Sequence, residues 1–308
     1  MRKKVAVIGA GHVGECTAMY LAERNICDIM LVDIIEDMPK GKALDLAQAG
    51  PICNYDASIV GSNDFADIKG SHIVVVTSGV PRKPGMTRED LITKNAEIVG
   101  SVTENIKKHA PKAMVLMVAN PLDIMTFHSW KKMGNDHKFV FGQAGVLDSV
   151  RFRTFVGWEL GISPNDVQAM VLGGHGDTMV PLPRYTTVAG IPITELIAPD
   201  RIEAISKRTR DGGGEIVKLL KTGSAYYAPA AATVEMVDAI LTDRKRLMPC
   251  SAYLTGQYGI KDLYIGVPVI LGAGGVEKVI ELKLNDQELG ELRKSGTIYK
   301  EMLSVLGY

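Results

Sequence analysis

No apolar run in this chain approaches the ~20 residues that a membrane-crossing helix requires. The N-terminus, MRKKVAVIGAG, sets basic residues before an apolar stretch but reaches Gly9 and Gly11 too soon for a signal peptide. Charge of one sign is not in excess either, because Lys plus Arg and Asp plus Glu are 35 each. Without a net positive field nothing drives general binding to nucleic acid or to an anionic membrane, so local cation clusters need local reasons. Cysteine is sparse. Cys16, Cys27, Cys53 and Cys250 show no C-x-x-C spacing, which argues against a zinc site and a disulfide framework. Reduced thiols in a cytoplasmic setting are expected. No internal repeat is present. The remaining composition, 46% hydrophobic and 23% charged over 308 residues, is that of a globular protein long enough for two domains.

What is there begins with a short apolar strand, Val5 to Ile8, running into Gly9-Ala10-Gly11-His12-Val13-Gly14 and then a helix-compatible segment. A G-x-G-x-x-G alone is weak, but this one has the strand before it and the helix after it that dinucleotide binding requires. Gly9 permits a tight turn, Gly11 lets backbone approach a pyrophosphate, and Gly14 lets helix pack on strand. His12 within the turn reads as a surface side chain. A second strand, Ile29 to Val32, ends on Asp33, where a carboxylate accepts hydrogen bonds from an adenosine ribose. Ile34 and Ile35 follow, with no immediate arginine to welcome a 2′-phosphate. NAD is expected over NADP. Met38 to Ala49 reads as a further helical segment.

The buried-type strand Ile73 to Val76 leads into a loop, VPRKPGMTREDL, that carries Arg82, Lys83 and Arg88. Thr87 and Asp90 form a capping-box-like Thr-x-x-Asp that starts a helix. Arg88 then sits in the first turn, where the macrodipole disfavours a cation. Leu91, Ile98, Val102 and Ile106 mark that helix's buried stripe. Asn95 falls on the stripe and either satisfies backbone or faces a polar ligand. A strand from Ala113 to Val118 ends at Ala119-Asn120-Pro121, with Pro121 suited to the first turn of the next helix. Alternating strands and helices through residue 143 predict a doubly wound, mostly parallel sheet. Its carboxyl edge collects the glycine turn, Asp33, the cationic loop and Asn120, and that edge is where open α/β sheets bind ligands.

Residues 144–308 read as a second, α+β domain. Asp148 and Arg151, at i and i+3, share a helix face, and the plain reading is a surface ion pair. Val167 to Leu172 reads as a strand ending in Gly173-Gly174-His175-Gly176-Asp177. A histidine fenced by glycines has an open approach, and of the six it is placed most like an acid/base. A carboxylate must orient its ring, and spacing does not choose between Asp148 and Asp177. Gly212 to Gly214 read as a kink or hinge between Asp200–Arg210 and EIVKLLKTG. Leu247 to Leu254 and Leu263 to Leu271 read as paired strands, Ile280 to Leu284 as a half-exposed strand, and Leu289 to Leu306 as a terminal amphipathic helix.

GAGHVG, Asp33, GVPRKPGMTREDL, VANP, GVLDSVRFR and GGHGDTMVP, in this order and spacing, closely resemble the lactate/malate dehydrogenase family over nearly the whole chain. The arginine-rich loop is similar to that of its malate-acting members, in the lactate-dehydrogenase-like branch. The resemblance implies a Rossmann-type NAD-binding domain over residues 1–143 and an α+β catalytic domain over 144–308. It implies His175 as proton donor and acceptor with Asp148 bonded to it. Arg151 would grip the substrate's C1 carboxylate, Arg82 the second carboxylate, and Arg88 would polarise the reacting carbonyl once its loop closes. Asn120 would hold substrate and cofactor. Gly9, Gly11, His12, Val13, Gly14, Asp33, Asn95 and Val118 would line the NAD site, and Lys83 has no assigned role. The implied reaction is malate to oxaloacetate in the tricarboxylic acid cycle, catalysed by a dimer or tetramer with the Met38 to Ala49 helix as a candidate contact, and with no metal. The competing readings are action on lactate and a non-catalytic NADH-sensing module on the same fold.

Overall fold

The structure, a computed structural model, describes residues 2–81 and 85–308. The first half alternates β1 (Lys3–Ile8), α1 (His12–Arg24), β2 (Cys27–Val32), α2 (Met38–Cys53), β3 (Ile59–Ser62), β4 (Ile73–Val76), α3 (Arg88–His109), β5 (Met114–Met117), α4 (Leu122–Met133) and β6 (Val140–Gly142). These strands pair in parallel in the order β3-β2-β1-β4-β5-β6. Helices cover both faces of such a sheet, so its strands read as continuous apolar runs, and all four residues of β4 are buried. Strand order reverses between β1 and β4, and their carboxyl ends open the crevice where such sheets take ligands.

The second half begins with α5 (Gly145–Leu160) and passes through five two-residue strands, Val167–Gln168 (β7), Val171–Leu172 (β8), Val180–Pro181 (β9), Thr187–Val188 (β10) and Ile191–Pro192 (β11). Helices α6 (Ile193–Leu196), α7 (Pro199–Leu220) and α8 (Tyr227–Leu241) precede the long antiparallel strands β12 (Arg246–Thr255), β13 (Lys261–Gly272) and β14 (Gly275–Val279), and α9 (Asp286–Ser304) closes the chain. The hairpin does not form a sheet of its own. Strand β12 pairs antiparallel with β6 through Ser251 and Gly142, so among the described residues nine strands make one sheet that runs across both halves. Gly142 allows this close approach, since a Cβ there would lie 2.9 Å from Ser251 Cβ and 2.7 Å from Thr126 Oγ1. A smaller apolar cluster around Phe152, Val156, Ile193 and Ile202 lies between α5 and its neighbours.

Several expectations are corrected. The segment Val167 to Leu172 is not one strand: β7 joins β10 and β11 while β8 joins β9, in two separate small sheets. Gly212 to Gly214 do not interrupt a helix, because α7 runs through them. Glycine there admits Arg151 from α5, whose Cδ lies 3.3 Å from where a Gly212 Cβ would stand. Helix α2 continues past Ala49 to Cys53. Ile280 to Leu284 is not a strand: Ile280 N–H still donates to Pro268 O of β13 at 2.8 Å, and beyond it the segment is tied to Tyr258, whose hydroxyl donates to Ile280 O and accepts from Leu282 N. Pro121 stands at the N-cap of α4 and not in its first turn.

The glycine-rich loop Gly173 to Asp177 is bound to the big sheet by a bridge in which Gly173 N–H donates to Gly266 O at 2.9 Å and Gly266 N–H donates to Gly173 O at 3.1 Å. A Cβ on Gly266 would lie 2.5 Å from Gly173 O. Gly266→Ala is therefore expected to lower stability by about 1–3 kcal/mol, the usual cost of forcing a methyl into a packed site. Thermal unfolding checks it, and an unchanged midpoint would mean that the bridge gives way freely.

Candidate active site

The glycine turn is built as its spacing implies. Gly9 has φ +102°, and a Cβ there would lie 2.6 Å from Thr77 Oγ1 at the end of β4. A Cβ on Gly14 would fall 1.7 Å from Gly9 O, whereas one on Gly11 would meet nothing within 4 Å. So Gly9 and Gly14 are forced by packing, and Gly11 faces open space. No side chain caps the start of α1, leaving its first N–H groups, including those of His12 and Val13, aimed there without an intrahelical acceptor. That arrangement fits a pyrophosphate. The His12 ring points away and bonds Glu15 at 2.7 Å. Asp33 braces the turn: Oδ2 accepts from Ala10 N at 2.6 Å and Oδ1 from Ile35 N at 3.0 Å. Each oxygen keeps a further lone pair for ribose hydroxyls. Lys42, a cation near the turn, is already bonded to Ala10 O at 2.7 Å and to Glu15.

Across the crevice, Thr87 and Asp90 form the reciprocal capping box, with bonds of 3.0 Å and 2.9 Å, and Arg88 opens α3 as an exposed side chain. Its guanidinium lies 3.9 Å from Asp177. Arg82 and Lys83 lie outside the described residues. Asn95 is buried and serves backbone: its Oδ1 accepts from Val80 N at 2.8 Å, and its amide donates to Val80 O at 3.1 Å and Asn120 O at 2.6 Å. Both amide hydrogens are thereby committed, so Asn95 positions the cationic loop's stem and Asn120 and has no hydrogen to offer a ligand directly. Val118 continues the sheet edge through its N–H to Val76 O at 2.9 Å. The exposed Asn120 follows at the mouth of the crevice.

The second half supplies a buried charge chain. Asp148 Oδ2 takes His175 Nδ1 at 3.0 Å, and Asp148 Oδ1 takes Arg151 Nη1 at 3.3 Å. The three side chains are 2%, 14% and 12% exposed respectively, so the ion pair that looked like a surface feature is interior. Asp177 instead lies 3.9 Å from the Arg88 guanidinium, which separates the two carboxylates that spacing left open. A carboxylate partner puts the hydrogen on Nδ1 and leaves Nε2 as the reactive nitrogen. Burial pulls the His175 pKa down, but Asp148's charge and hydrogen bond, with Asp123's charge, outweigh burial and Arg151, and the net shift is upward. Arg151 Nε is buried without a hydrogen-bond partner among the described residues, so this guanidinium is not fully committed within the protein.

Sequence reasoning missed the shell that holds His175. Asp123, in the first turn of α4, accepts His175 N–H at 2.9 Å and the Ser251 hydroxyl at 2.5 Å. Tyr299 from α9 donates to His175 O at 2.7 Å, and Gly174 N–H donates to Ser295 Oγ at 2.9 Å. Gly174 is not an open approach: a Cβ there would lie 1.9 Å from the Tyr299 ring. Asp123, which reads as an ordinary acidic first-turn residue, gave no local signal, because its partners lie 52 and 128 positions away.

Two family models match: lactate/malate dehydrogenase, NAD binding domain, over residues 3–142, and lactate/malate dehydrogenase, alpha/beta C-terminal domain, over residues 145–305. The chain is 59% identical over 306 residues to a malate dehydrogenase of Thermomicrobium roseum, covering 99% of each protein. It is 54% identical to one of Methanosarcina barkeri, over 98% of this chain and 99% of that one. A solved apo malate dehydrogenase of Picrophilus torridus superposes with a TM-score of 0.96 at 46% identity, covering 99% of this chain and 97% of that one. A lactate dehydrogenase of Cryptosporidium parvum, solved with lactic acid and the dinucleotide, gives 0.96 at 42% identity, covering 100% and 98%.

Asn95→Leu keeps the volume but leaves Val80 N, Val80 O and Asn120 O without their partner. Stability should fall by about 1–3 kcal/mol, the cost of stranding a buried polar group. Denaturant unfolding checks this, and an unchanged midpoint together with weakened NADH binding would make Asn95 a ligand contact after all.

Proposed function

The chain belongs to the lactate/malate dehydrogenase family, and from that premise we propose that it is an NAD-dependent malate dehydrogenase with His175 as its acid/base. The observation that carries this reading is the buried chain His175–Asp148–Arg151, which sets a proton carrier beside a guanidinium not fully committed within the protein. NAD, when bound over Gly9 to Gly14 with its ribose at Asp33, supplies a nicotinamide ring as hydride acceptor.

Arg151 binds the C1 carboxylate of malate. Neutral His175 takes the C2 hydroxyl proton on Nε2 while hydride leaves C2, and Asp148 stabilises the imidazolium that results. In the reverse direction the same ring returns the proton to the carbonyl oxygen of oxaloacetate. Arg88 polarises that oxygen once the loop closes and excludes water. Arg82 pairs with the second carboxylate, and Asn120 holds substrate and cofactor in register. A neutral protein needs this concentration of cations because its substrate is a dianion.

The setting is cytoplasmic, the assembly a homo-oligomer (dimer or tetramer), and the reaction the malate step of the tricarboxylic acid cycle. All four cysteines are free, which fits a reducing compartment. Leu44 and Ile52 on α2 and Tyr227 on α8 expose apolar surface suited to a second copy. No helix among the described residues is long and apolar enough to cross a membrane.

Two experiments test the reading. Malate oxidation needs neutral His175, whose pKa lies above the ordinary 6.5. Its kcat/KM should fall about tenfold per pH unit below that raised value, while oxaloacetate reduction, which needs the imidazolium, should fall as pH rises through it. His175→Asn should lose about 10²–10⁴-fold in rate and still quench NADH fluorescence on binding. A flat profile in both directions would move the proton to another group.

Substrate choice is read from NADH absorbance with oxaloacetate and with pyruvate. Pyruvate offers a methyl where oxaloacetate offers its second carboxylate. At about 4 Å and an effective dielectric of about 20, a guanidinium–carboxylate attraction is about 4 kcal/mol before desolvation, enough for roughly 10³-fold discrimination. Arg82→Gln should lower kcat/KM for oxaloacetate steeply and raise it for pyruvate. Arg151→Gln should weaken both acids. Parallel loss of both activities in Arg82→Gln would remove the basis for malate over lactate.

A further inference from the structure

We propose that Asp123 is a positioning residue for the acid/base: it fixes His175 from the backbone side and presents a second buried negative charge to the imidazolium. The proposal rests on His175 being the acid/base, as argued above. Asp123 is only 1% exposed. One of its oxygens accepts the His175 N–H at 2.9 Å and the other the Ser251 hydroxyl at 2.5 Å. A single carboxylate thus ties the first turn of α4, the catalytic loop and β12 together. It stands three residues after Asn120, so the end of the chain that holds substrate and cofactor is linked to the base through one turn of helix. The helix N-terminus and two donors both favour its ionised form.

The surrounding groups leave a task for that charge. Asp148 and Arg151 reach the pair from α5, Tyr299 packs on it from α9, and the Arg88–Asp177 pair lies beyond Tyr299. Asp148 already faces Arg151, which lowers the proton affinity of His175 and offsets part of Asp148's field. Among the described residues, Asp123 faces no cation except His175 itself. Burial pushes its carboxyl up to about 6, with Ser251 and the His175 N–H opposing, so it is charged at neutral pH and loses that charge in mildly acid solution.

Asp123→Asn keeps the shape and an oxygen for the His175 N–H but removes the charge. In the whole protein without ligand, the His175 ring titration is followed by NMR of labelled histidine, with its signal assigned by its loss in His175→Asn. It should move down by roughly one pH unit in Asp123→Asn, the size of shift that one nearby charge produces. The alkaline limb of oxaloacetate reduction should move with it. Ser251→Ala keeps the carboxylate but withdraws a donor, so Asp123 loses its charge at higher pH and the His175 titration moves the same way by less. A merely structural Asp123 would lower kcat and leave the titration where it is; that result overturns the proposal. Should Asp123→Asn fail to fold, an unmoved titration in Ser251→Ala overturns it alone. Failure of the malate reading is told apart, because it would show as no oxaloacetate turnover in the unaltered protein while the NMR titration still reports on Asp123.

Discussion

The Asp148 carboxylate, buried and divided between His175 and Arg151, is the interaction on which the rest of the structure depends. An isolated carboxylate at that depth would be costly, and a buried ion pair is stable only when its remaining lone pairs find donors. Asp148 meets that condition by giving one oxygen to each partner. The i, i+3 spacing on α5 brings Arg151 within reach at no cost in chain topology. His175 comes from a distant loop, so the loop must be held rigidly, and the surrounding fold does this from three sides. Gly266 bridges Gly173, Tyr299 and Ser295 bind the loop backbone from α9, and Asp123 binds it from α4.

The continuous sheet explains how groups from the two halves meet with hydrogen-bond accuracy. A hinge between separate domains would leave His175 and Asn120 free to drift by more than proton transfer tolerates. Here β12 pairs with β6, and Ser251, at the pairing point itself, also bonds Asp123. The seam between halves is therefore part of the site's support. Gly142 is the residue that permits it, because any side chain there would collide with Ser251 or Thr126.

Much of this was legible in the sequence where the physics is local. The glycine turn, Asp33 and the Thr87–Asp90 cap are short-range patterns whose geometry follows from spacing, and the structure forms each of them. Asn95 is inside as expected, and its burial is what made it a bracket for Val80 and Asn120. The buried stripe itself runs through Ile92, Val99, Val102 and Ile106, while Leu91 and Ile98 are only half-buried. Long-range packing was not legible. Gly212 to Gly214 looked like a break because glycine lowers helix propensity, yet the helix runs through them, and of the three only Gly212 stands tightly against the Arg151 side chain. Gly174 looked like access for a ligand, whereas it is space for the Tyr299 ring. Of the five small strands, β7 and β8 were merged into one, and the other three escaped detection because two residues carry no period. Asp123 escaped because nothing in its own segment distinguishes it from a helix-starting acid.

The same contrast separates the fixed from the movable part of the site. His175, Asp148 and Arg151 stand on elements knit into the core, and on the proposed function they act on what every 2-hydroxy acid shares, the C1 carboxylate and the hydroxyl. Arg88 stands at the exposed start of α3, where the helix dipole opposes its charge and, among the described residues, its ion-pair partner is the exposed Asp177 carboxylate at 3.9 Å. A cation so weakly held at rest loses little when it leaves for a stronger partner. A substrate carboxylate and a developing oxyanion, out of water in a closed crevice, are such partners. The capping box fixes the backbone from which Arg88 swings, so the helix start contributes an anchored but poorly satisfied charge. On the proposed function, that combination places the rigidly held groups at the proton-transfer step and the weakly paired Arg88 at substrate capture, so the two can be altered separately.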